Sequence, residues 1–409
     1  MEPKIRFKGY SGEWKNDVIG NIATFSKGRG YSKGDLKSVG NPIILYGRLY
    51  TNYSSIINNV DTFASLKKGS VLSKGKEVII PGSGETPEDI AIASAVEQKD
   101  VILGGDLNVI TFDEKKIIPP FAAMCITNSK THYELSGYAQ GKTVVHLYNS
   151  GISKGHLSYP SKDEQQAIVL YLSSLDKLIK STSKKVESLK KLKSASLVAM
   201  FPQQGETTPK VRFKGFEGEW RRIKFSKISS RVTRRNDMLE CKLPLTISAN
   251  EGLISQEKFF KNIVASSNLD NYYLLKRGEF AYNKSYSNGY PFGAIKRLDK
   301  YDSGVLSPLY ICFGIHNEVD SDYICFFFET TLWHKDVAER ATEGARNHGI
   351  LNIGTEDFFD IDIMIPESKE EQQSIATFFR SLDRKIALET ARLEKLKQIK
   401  LACLDKMFV

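Results

Sequence analysis

The sequence contains a copy of its own longest helix. Ser161-Lys162-Asp163-Glu164-Gln165-Gln166-Ala167-Ile168 returns 207 positions later as Ser368-Lys369-Glu370-Glu371-Gln372-Gln373-Ser374-Ile375, and the correspondence continues along the segment. Ile168, Leu172, Leu175, Ile179, Val186 and Leu189 map in order onto Ile375, Phe379, Leu382, Ile386, Leu393 and Leu396. Steps of four and three residues are the seam of a helix that packs on another helix. Thr182 and Glu389 stand at matching mid-seam positions, where a polar residue costs stability and fixes alignment. Each copy follows a proline and opens on a serine three residues before a glutamate, Ser161 with Glu164 and Ser368 with Glu371, which predicts a capping box. Two matched long helices in one chain are most simply partners for each other.

A second phrase also recurs. Pro3-Lys4-Ile5-Arg6-Phe7-Lys8-Gly9-Tyr10-Ser11-Gly12-Glu13-Trp14 reappears as Pro209-Lys210-Val211-Arg212-Phe213-Lys214-Gly215-Phe216-Glu217-Gly218-Glu219-Trp220, directly after the first long helix. The repeat unit is therefore half the chain: opening phrase, globular stretch, long helix. Pro202 to Gly205 ends the first helix. The expected organisation is a first domain at 1–159, a helix at 160–201, a linker and second domain at 202–365, and a second helix at 366–409. Between the repeated edges the two stretches have diverged. The first predicts strands at Val78–Ile80, Val101–Leu103, Leu107–Ile110 and Val144–Leu147 and a helix at Phe121–Thr127 after Pro119-Pro120. The second predicts strands at Phe280–Tyr282, Gly293–Ile295 and Leu309–Phe313, then a helix from about Asp322 to Ala341. Both read as mixed α/β.

At 409 residues the chain is long enough for two ordinary domains, and 41% hydrophobic and 11% aromatic residues argue for folded protein. Its charged start fits no signal peptide, and no apolar run reaches the roughly 18 residues of a membrane span. Five cysteines without a Cys-x-x-Cys pair favour a reducing cytoplasm and buried thiols. The net charge of +10 makes a polyanion a plausible partner.

Catalytic motifs fail one by one. Gly141-Lys142-Thr143 has its preceding glycine, Gly137, too close for a phosphate loop and no apolar strand before it. Gly82-Ser83-Gly84 follows a strand but lacks the third glycine of a dinucleotide fingerprint. Asn41-Pro42-Ile43 lacks the aromatic residue that would stack a flipped base, and reads as a turn into a strand. The six histidines show no metal-ligand spacing.

Polar loops suited to nucleic acid survive. The second half carries Arg231, Arg234 and Arg235, then Asn283, Lys284, Ser285 and Tyr286, then Arg346, Asn347 and His348 between glycines. Arginine pairs with guanine, asparagine with adenine, and lysine and serine with phosphate, so such loops can both position and read. The first half offers Lys27, Arg29, Tyr31, Ser83, Thr86, Lys142 and Thr143.

The Glu-Gln-Gln helix starts, the doubled Arg-Phe-x-Gly-aromatic-x-Gly-Glu-Trp phrase and the two divergent stretches together closely resemble the specificity (S) subunit of type I restriction-modification systems, the HsdS family. The resemblance covers essentially the whole chain. It implies two target recognition domains, each reading half of a bipartite sequence in double-stranded DNA. It also implies an antiparallel coiled coil of the repeated helices with a pseudo-twofold relation between halves, and a non-catalytic chain that docks two methyltransferase (M) subunits, with restriction (R) subunits in the full complex. S-adenosylmethionine, ATP and Mg would then belong to partners, and none of them to this chain. Independently, Glu164 to Met200 makes roughly 55 Å of helix, longer than a duplex turn of about 34 Å. The rivals are a stand-alone nuclease or methyltransferase, and an adaptor that uses the coiled coil to hold two protein-binding domains.

Overall fold

Arg6 and Arg212, equivalent residues of the two opening phrases, explain why the phrase is repeated with the helix. In the computed structural model, which describes residues 2–248, 251–260, 269–285, 289–341, 351 and 353–409, the chain divides into two compact units, Met1–Ser183 with Thr390–Val409 and Lys184–Glu389. Both long helices, Lys162–Ala199 and Lys369–Met407, contribute to both units.

In the first unit Arg6 grips the start of the first helix. Its Nε and Nη2 donate to Glu164 Oε1 and Oε2 at 2.7 and 2.8 Å, and its Nη1 donates to Gly12 O at 2.6 Å. In the second unit Arg212 does the same to Glu371 at 2.7 and 2.8 Å and to Gly218 O at 2.6 Å. The predicted capping boxes are therefore half formed. Ser161 and Ser368 do accept the Glu164 and Glu371 N–H groups, at 3.4 and 3.1 Å. The glutamate side chains turn to arginine instead of the serine N–H, because a buried carboxylate gains more from a bidentate cation than from one amide. Gly9 and Gly12, like Gly215 and Gly218, have φ between 82° and 99°, where a side chain would strain the turn that brings the arginine round.

The next residue of the motif has a separate task. Gln165 is fully buried; it accepts the Ile118 N–H at 2.9 Å and donates to Pro160 O at 3.0 Å. Gln372 accepts the Asp320 N–H at 2.8 Å and donates to Pro366 O at 3.1 Å. Each glutamine thus ties its helix start to the residue before another helix of its own unit, Pro119–Asn128 or Ser321–Phe327.

Each opening phrase also holds the end of the other long helix. Ile5 N–H donates to Lys406 O, and Val211 N–H to Ala199 O, both at 2.9 Å. Within the first unit Tyr171 meets Cys403 and Asp176 pairs with Lys400; within the second, Lys185 pairs with Glu389 at 2.5 Å and Lys193 with Asp383 at 2.6 Å. Rising numbers on one helix meet falling numbers on the other, so the packing in each unit is antiparallel. The apolar seam follows. Ile168, Leu172 and Leu175 are buried with Cys403, Met407 and Phe408, while Ile375, Phe379 and Leu382 are buried with Met200 and Phe201. Val186 and Leu393 are buried, and Ile179, Leu189, Ile386 and Leu396 are half-buried, as the repeat approaches mid-helix.

The globular parts are mixed α/β on a shared plan. Four antiparallel strands of a five-stranded sheet run in the order Ala23–Lys27, Leu107–Phe112, Glu77–Pro81, Ser94–Val96 in the first unit, with Ile56–Ile57 added parallel to the last. Its counterpart runs Ser229–Arg231, Ile311–Ile315, Phe280–Asn283, Ala294–Arg297 in the second. Lys15–Val18 pairs with His156–Tyr159, and Arg221–Lys224 with Asp362–Ile365, at the same spacing in both. Between the first and the central strand the units part company. The first inserts strands that build a second five-stranded sheet with Lys99–Leu103, and the second forms the hairpin Leu245–Ser248 with Gly252–Ser255.

Three expectations need correcting. The helix expected over 322–341 is two, Ser321–Phe327 and His334–Arg340. Between them the Thr330 hydroxyl donates to Phe327 O at 2.6 Å and the Trp333 indole N–H to Phe328 O at 3.2 Å, which satisfies the carbonyls of a broken helix end. The strand expected at 144–147 is only Val145–His146, and the one at 309–313 begins at Ile311, where burial begins.

Candidate functional site

At one end of the main sheet of each unit two segments meet. In the first unit one loop leaves the central strand at Pro81 and continues through Ser83 and Thr86; the other, 138–148, lies between the helix Lys130–Gly137 and the short helix Asn149–Ile152. Ser83 and Gly84 pair with His146 and Val145, which joins the loops. Asn108, fully buried on the neighbouring strand, donates to Pro81 O at 3.3 Å and Leu147 O at 2.8 Å and so staples both to the sheet. As a polar residue inside an apolar strand, Asn108 carried the signal the sequence offered for this staple.

The second unit repeats this juxtaposition with different residues. Past the central strand, Lys284 O accepts the Leu351 N–H at 2.9 Å, and Lys284 Nζ donates to Ile353 O at 3.2 Å. Burial holds the Lys284 ammonium below its ordinary range. Residues 351 and 353 end the stretch between His334–Arg340 and the short helix Thr355–Phe359, the counterpart of 138–148. Asn283 Oδ1 accepts the Ser285 N–H at 3.0 Å. Tyr286, Arg346, Asn347 and His348 lie outside the described residues.

The remaining candidates divide by whether their polar groups are engaged. Tyr31, at φ 64°, donates to Ser65 O at 3.0 Å, lies 2.6 Å from Ser70 Oγ and accepts the Lys67 N–H at 2.9 Å, so it pins its own loop. Thr86 caps the short helix Pro87–Ile90, accepting the Asp89 N–H at 3.1 Å and donating to its carboxylate at 2.8 Å. Ser83 Oγ lies 3.0 Å from His146 Nδ1. Arg29, Lys142 and Thr143 are exposed, and Lys27, at the end of its strand, sits 5.2 Å above the Tyr148 ring. In the second unit Arg234 grips Glu279 with Nη2 at 2.9 and 2.7 Å, a structural pair. Arg231 and Arg235 gather around one tyrosine: Arg231 Nη2 donates to the Tyr273 hydroxyl at 3.2 Å, and the Arg235 guanidinium lies 4.5 Å over its ring.

Reading by residue type missed the aromatic side chains around Ser83. Tyr46 and Tyr50 meet edge to face at 6.4 Å, the Tyr50 hydroxyl donates to Ser83 O at 2.7 Å, and His146 lies over Tyr148 at 6.0 Å and 20°. Tyr46 and Tyr148 are 40% and 43% exposed. Among the described residues no cluster of His, Cys, Asp or Glu is arranged to hold a metal ion, and no helix is long and apolar enough to cross a membrane. All five cysteines are free thiols, four of them buried.

Comparison with known proteins gives one family. The model of the type I restriction modification DNA specificity domain matches residues 11–191 and 267–398. A type I restriction-modification S subunit from M. genitalium is similar over 100% of this chain and 99% of its own, with TM-score 0.60 and 15% identity. The HsdS subunit from Thermoanaerobacter tengcongensis is similar over 98% of each chain, with TM-score 0.49 and 13% identity. No curated protein matches.

Proposed function

The chain belongs to the type I restriction modification DNA specificity family, and from that premise we propose that it is the subunit that reads a bipartite duplex sequence, one half by each unit, and carries no catalysis itself. The observation that carries the reading is that, in both units, the residues just past the same strand of the main sheet meet the residues just before a short helix, bearing unrelated side chains: Ser83 with His146 in one unit and Lys284 with Leu351 in the other. A constant scaffold with exchanged loop residues is what two half-sites of different sequence require. In this reading Lys27, Arg29, Lys142 and Thr143 in the first unit, and Arg231, Arg235 and Lys284 in the second, supply positive charge or hydrogen-bonding groups. Arg346, Asn347 and His348 join them by sequence position.

Two methyltransferase subunits dock on the long helices in this proposal, whose outward faces keep apolar side chains exposed at Leu170, Leu178, Leu192, Leu388 and Leu401. Restriction subunits join the full complex in the cytoplasm. S-adenosylmethionine, ATP and Mg act in those partners. The helices serve as spacer, so four residues inserted near Thr182 lengthen the gap between half-sites without altering the bases read. The deciding experiment exchanges residues 221–365 for the corresponding part of another family member and maps methylated adenines. One half of the target changes. A change in both halves, or no sequence preference in the parent complex, sinks the proposal.

A further inference from the structure

We infer that His146 is the side chain with which the first unit reads a base edge, that Ser83 is its positioning residue, and that Lys27, carried on Tyr148, holds the neighbouring phosphate. The inference rests on the duplex-reading proposal and adds which groups do the reading. It starts from commitment: a group already bonded inside the protein cannot also report on a base. Tyr31, Thr86, Tyr50 and Ser83 are engaged in that way. His146 is engaged on one side only. Its Nδ1 lies 3.0 Å from Ser83 Oγ, and Nε2 has no partner among the described residues.

The ring is also held where a reading group has to be held. The His146 N–H donates to Gln140 O at 2.7 Å and its carbonyl accepts from Gln140 N–H at 2.9 Å, while the adjacent Leu147 is stapled by Asn108. Tyr148 supports the imidazole at 6.0 Å. Little side-chain freedom is left to lose on binding, so a contact to Nε2 is expressed nearly in full. The Ser83 hydroxyl fixes which contact that is. If it donates to Nδ1, Nε2 carries the proton and suits guanine O6 or N7. If it accepts, Nε2 is bare and suits the amino group of cytosine or adenine. Lys27 makes no ion pair among the described residues; its charge rests over the Tyr148 ring, available to a phosphate beside the base that His146 meets. A nucleophilic serine–histidine pair is the other chemistry this contact suggests, but among the described residues no carboxylate touches the ring to orient a base.

The test uses the full chain in complex with its methyltransferase partners, selected on a duplex pool with randomised positions at two salt concentrations. His146→Ala loses preference at one base pair in one half-site and binds the wild-type motif roughly tenfold or more weakly. His146→Gln shifts preference at that same position, since its amide offers a different pattern of donor and acceptor. Ser83→Ala relaxes the same base pair while binding to the pool as a whole persists. Lys27→Ala weakens every duplex alike and lowers the salt slope by about one. If His146→Ala melts early, the glutamine and Ser83 variants carry the test. An unchanged motif in His146→Gln and Ser83→Ala, or altered preference in both half-sites, overturns the inference. Failure of the parent complex to enrich any motif would instead remove the proposed function beneath it.

Discussion

The two units agree most closely where they touch the long helices and least where the central strand ends. Arg6 on Glu164 and Arg212 on Glu371 have matching lengths at both bonds of the fork. Phe7 meets Tyr171 edge-on at 5.5 Å, and Phe213 meets Phe378 at 6.1 Å, one step of the same repeat. Among the described loop residues nothing matches except position: a serine–histidine contact stands where the other unit has a lysine on a backbone carbonyl. Contacts that close a helix against a domain admit few solutions, because a buried carboxylate or a buried glutamine needs a partner of fixed geometry. Loop ends have no such restriction once Asn108 or Lys284 has anchored them. The difference teaches which residues of this chain are free to vary and which are not.

The largest expected effect breaks the likeness of the two helix ends. Phe201 is fully buried among Trp220, Tyr323, Phe327 and Phe379, with centroids at 5.5 to 6.4 Å. Its counterpart Phe408 meets one ring among the described residues, Phe121, at 5.8 Å. Phe201→Ala should cost roughly 4 kcal/mol, and Phe408→Ala roughly 3, since the richer aromatic cluster collapses less readily around the gap. Urea unfolding gives the totals. Hydrogen exchange assigns the first loss to amides of Lys184–Glu389 and the second to those of the other unit. Equal losses would mean that ring contacts beyond area burial contribute nothing here.

Next in size is a test of sameness. Arg6→Ala leaves Glu164, 1% exposed, without its cation, and Arg212→Ala does this to Glu371, also 1% exposed. Each should cost roughly 3 kcal/mol, with Arg→Lys recovering little because an ammonium cannot reproduce the bidentate fork. Denaturation of the four variants side by side checks it. A clear inequality between Arg6→Ala and Arg212→Ala would show that equal geometry hides unequal surroundings.

Much of this architecture was legible because periodicity and repetition are properties of a linear text. The helices and their seam follow from the spacing of Ile168, Leu172 and Leu175 and from its return at Ile375, whereas their antiparallel direction came from the family resemblance and not from the spacing. The role of Glu164 was not, since a serine three residues before a glutamate predicts a capping box and gives no hint of an arginine 158 residues earlier in the chain. The break at Phe328–Trp333 was hidden because a run of aromatic residues satisfies a helix pattern and a buried turn equally well. The candidate site was partly legible. Ser83, Lys27 and Lys284 stood out as polar residues of loops suited to nucleic acid, whereas His146, with Tyr148 beside it, reaches Ser83 through the short pairing of Ser83–Gly84 with Val145–His146. That pairing joins residues about sixty apart in sequence, too distant for any local pattern to signal.

The smallest expected effect concerns the second unit and acid. His334 opens the helix His334–Arg340, with Phe292 at 4.8 Å and Trp333 at 4.6 Å from its ring, and burial holds its pKa below the ordinary value of about 6.5. On unfolding the ring regains water and that ordinary value. As pH falls below about 6.5 the unfolded chain takes up a proton that the folded unit resists, so stability drops with pH until the lowered folded pKa is passed, then levels off. Ring and solvent share this histidine, which keeps the drop shallow. Urea midpoints between pH 7.5 and 5, compared with His334→Phe, isolate it: the variant should lose this part of the slope and keep the rest, because phenylalanine fills the same aromatic contacts without a titrating nitrogen. Hydrogen exchange should place the acid-sensitive amides around Phe292 and Trp333. If the variant retained the full slope, the acid response of this unit would have to come from its carboxylates, with Asp360, held low by Arg340 and Lys224, the first to examine.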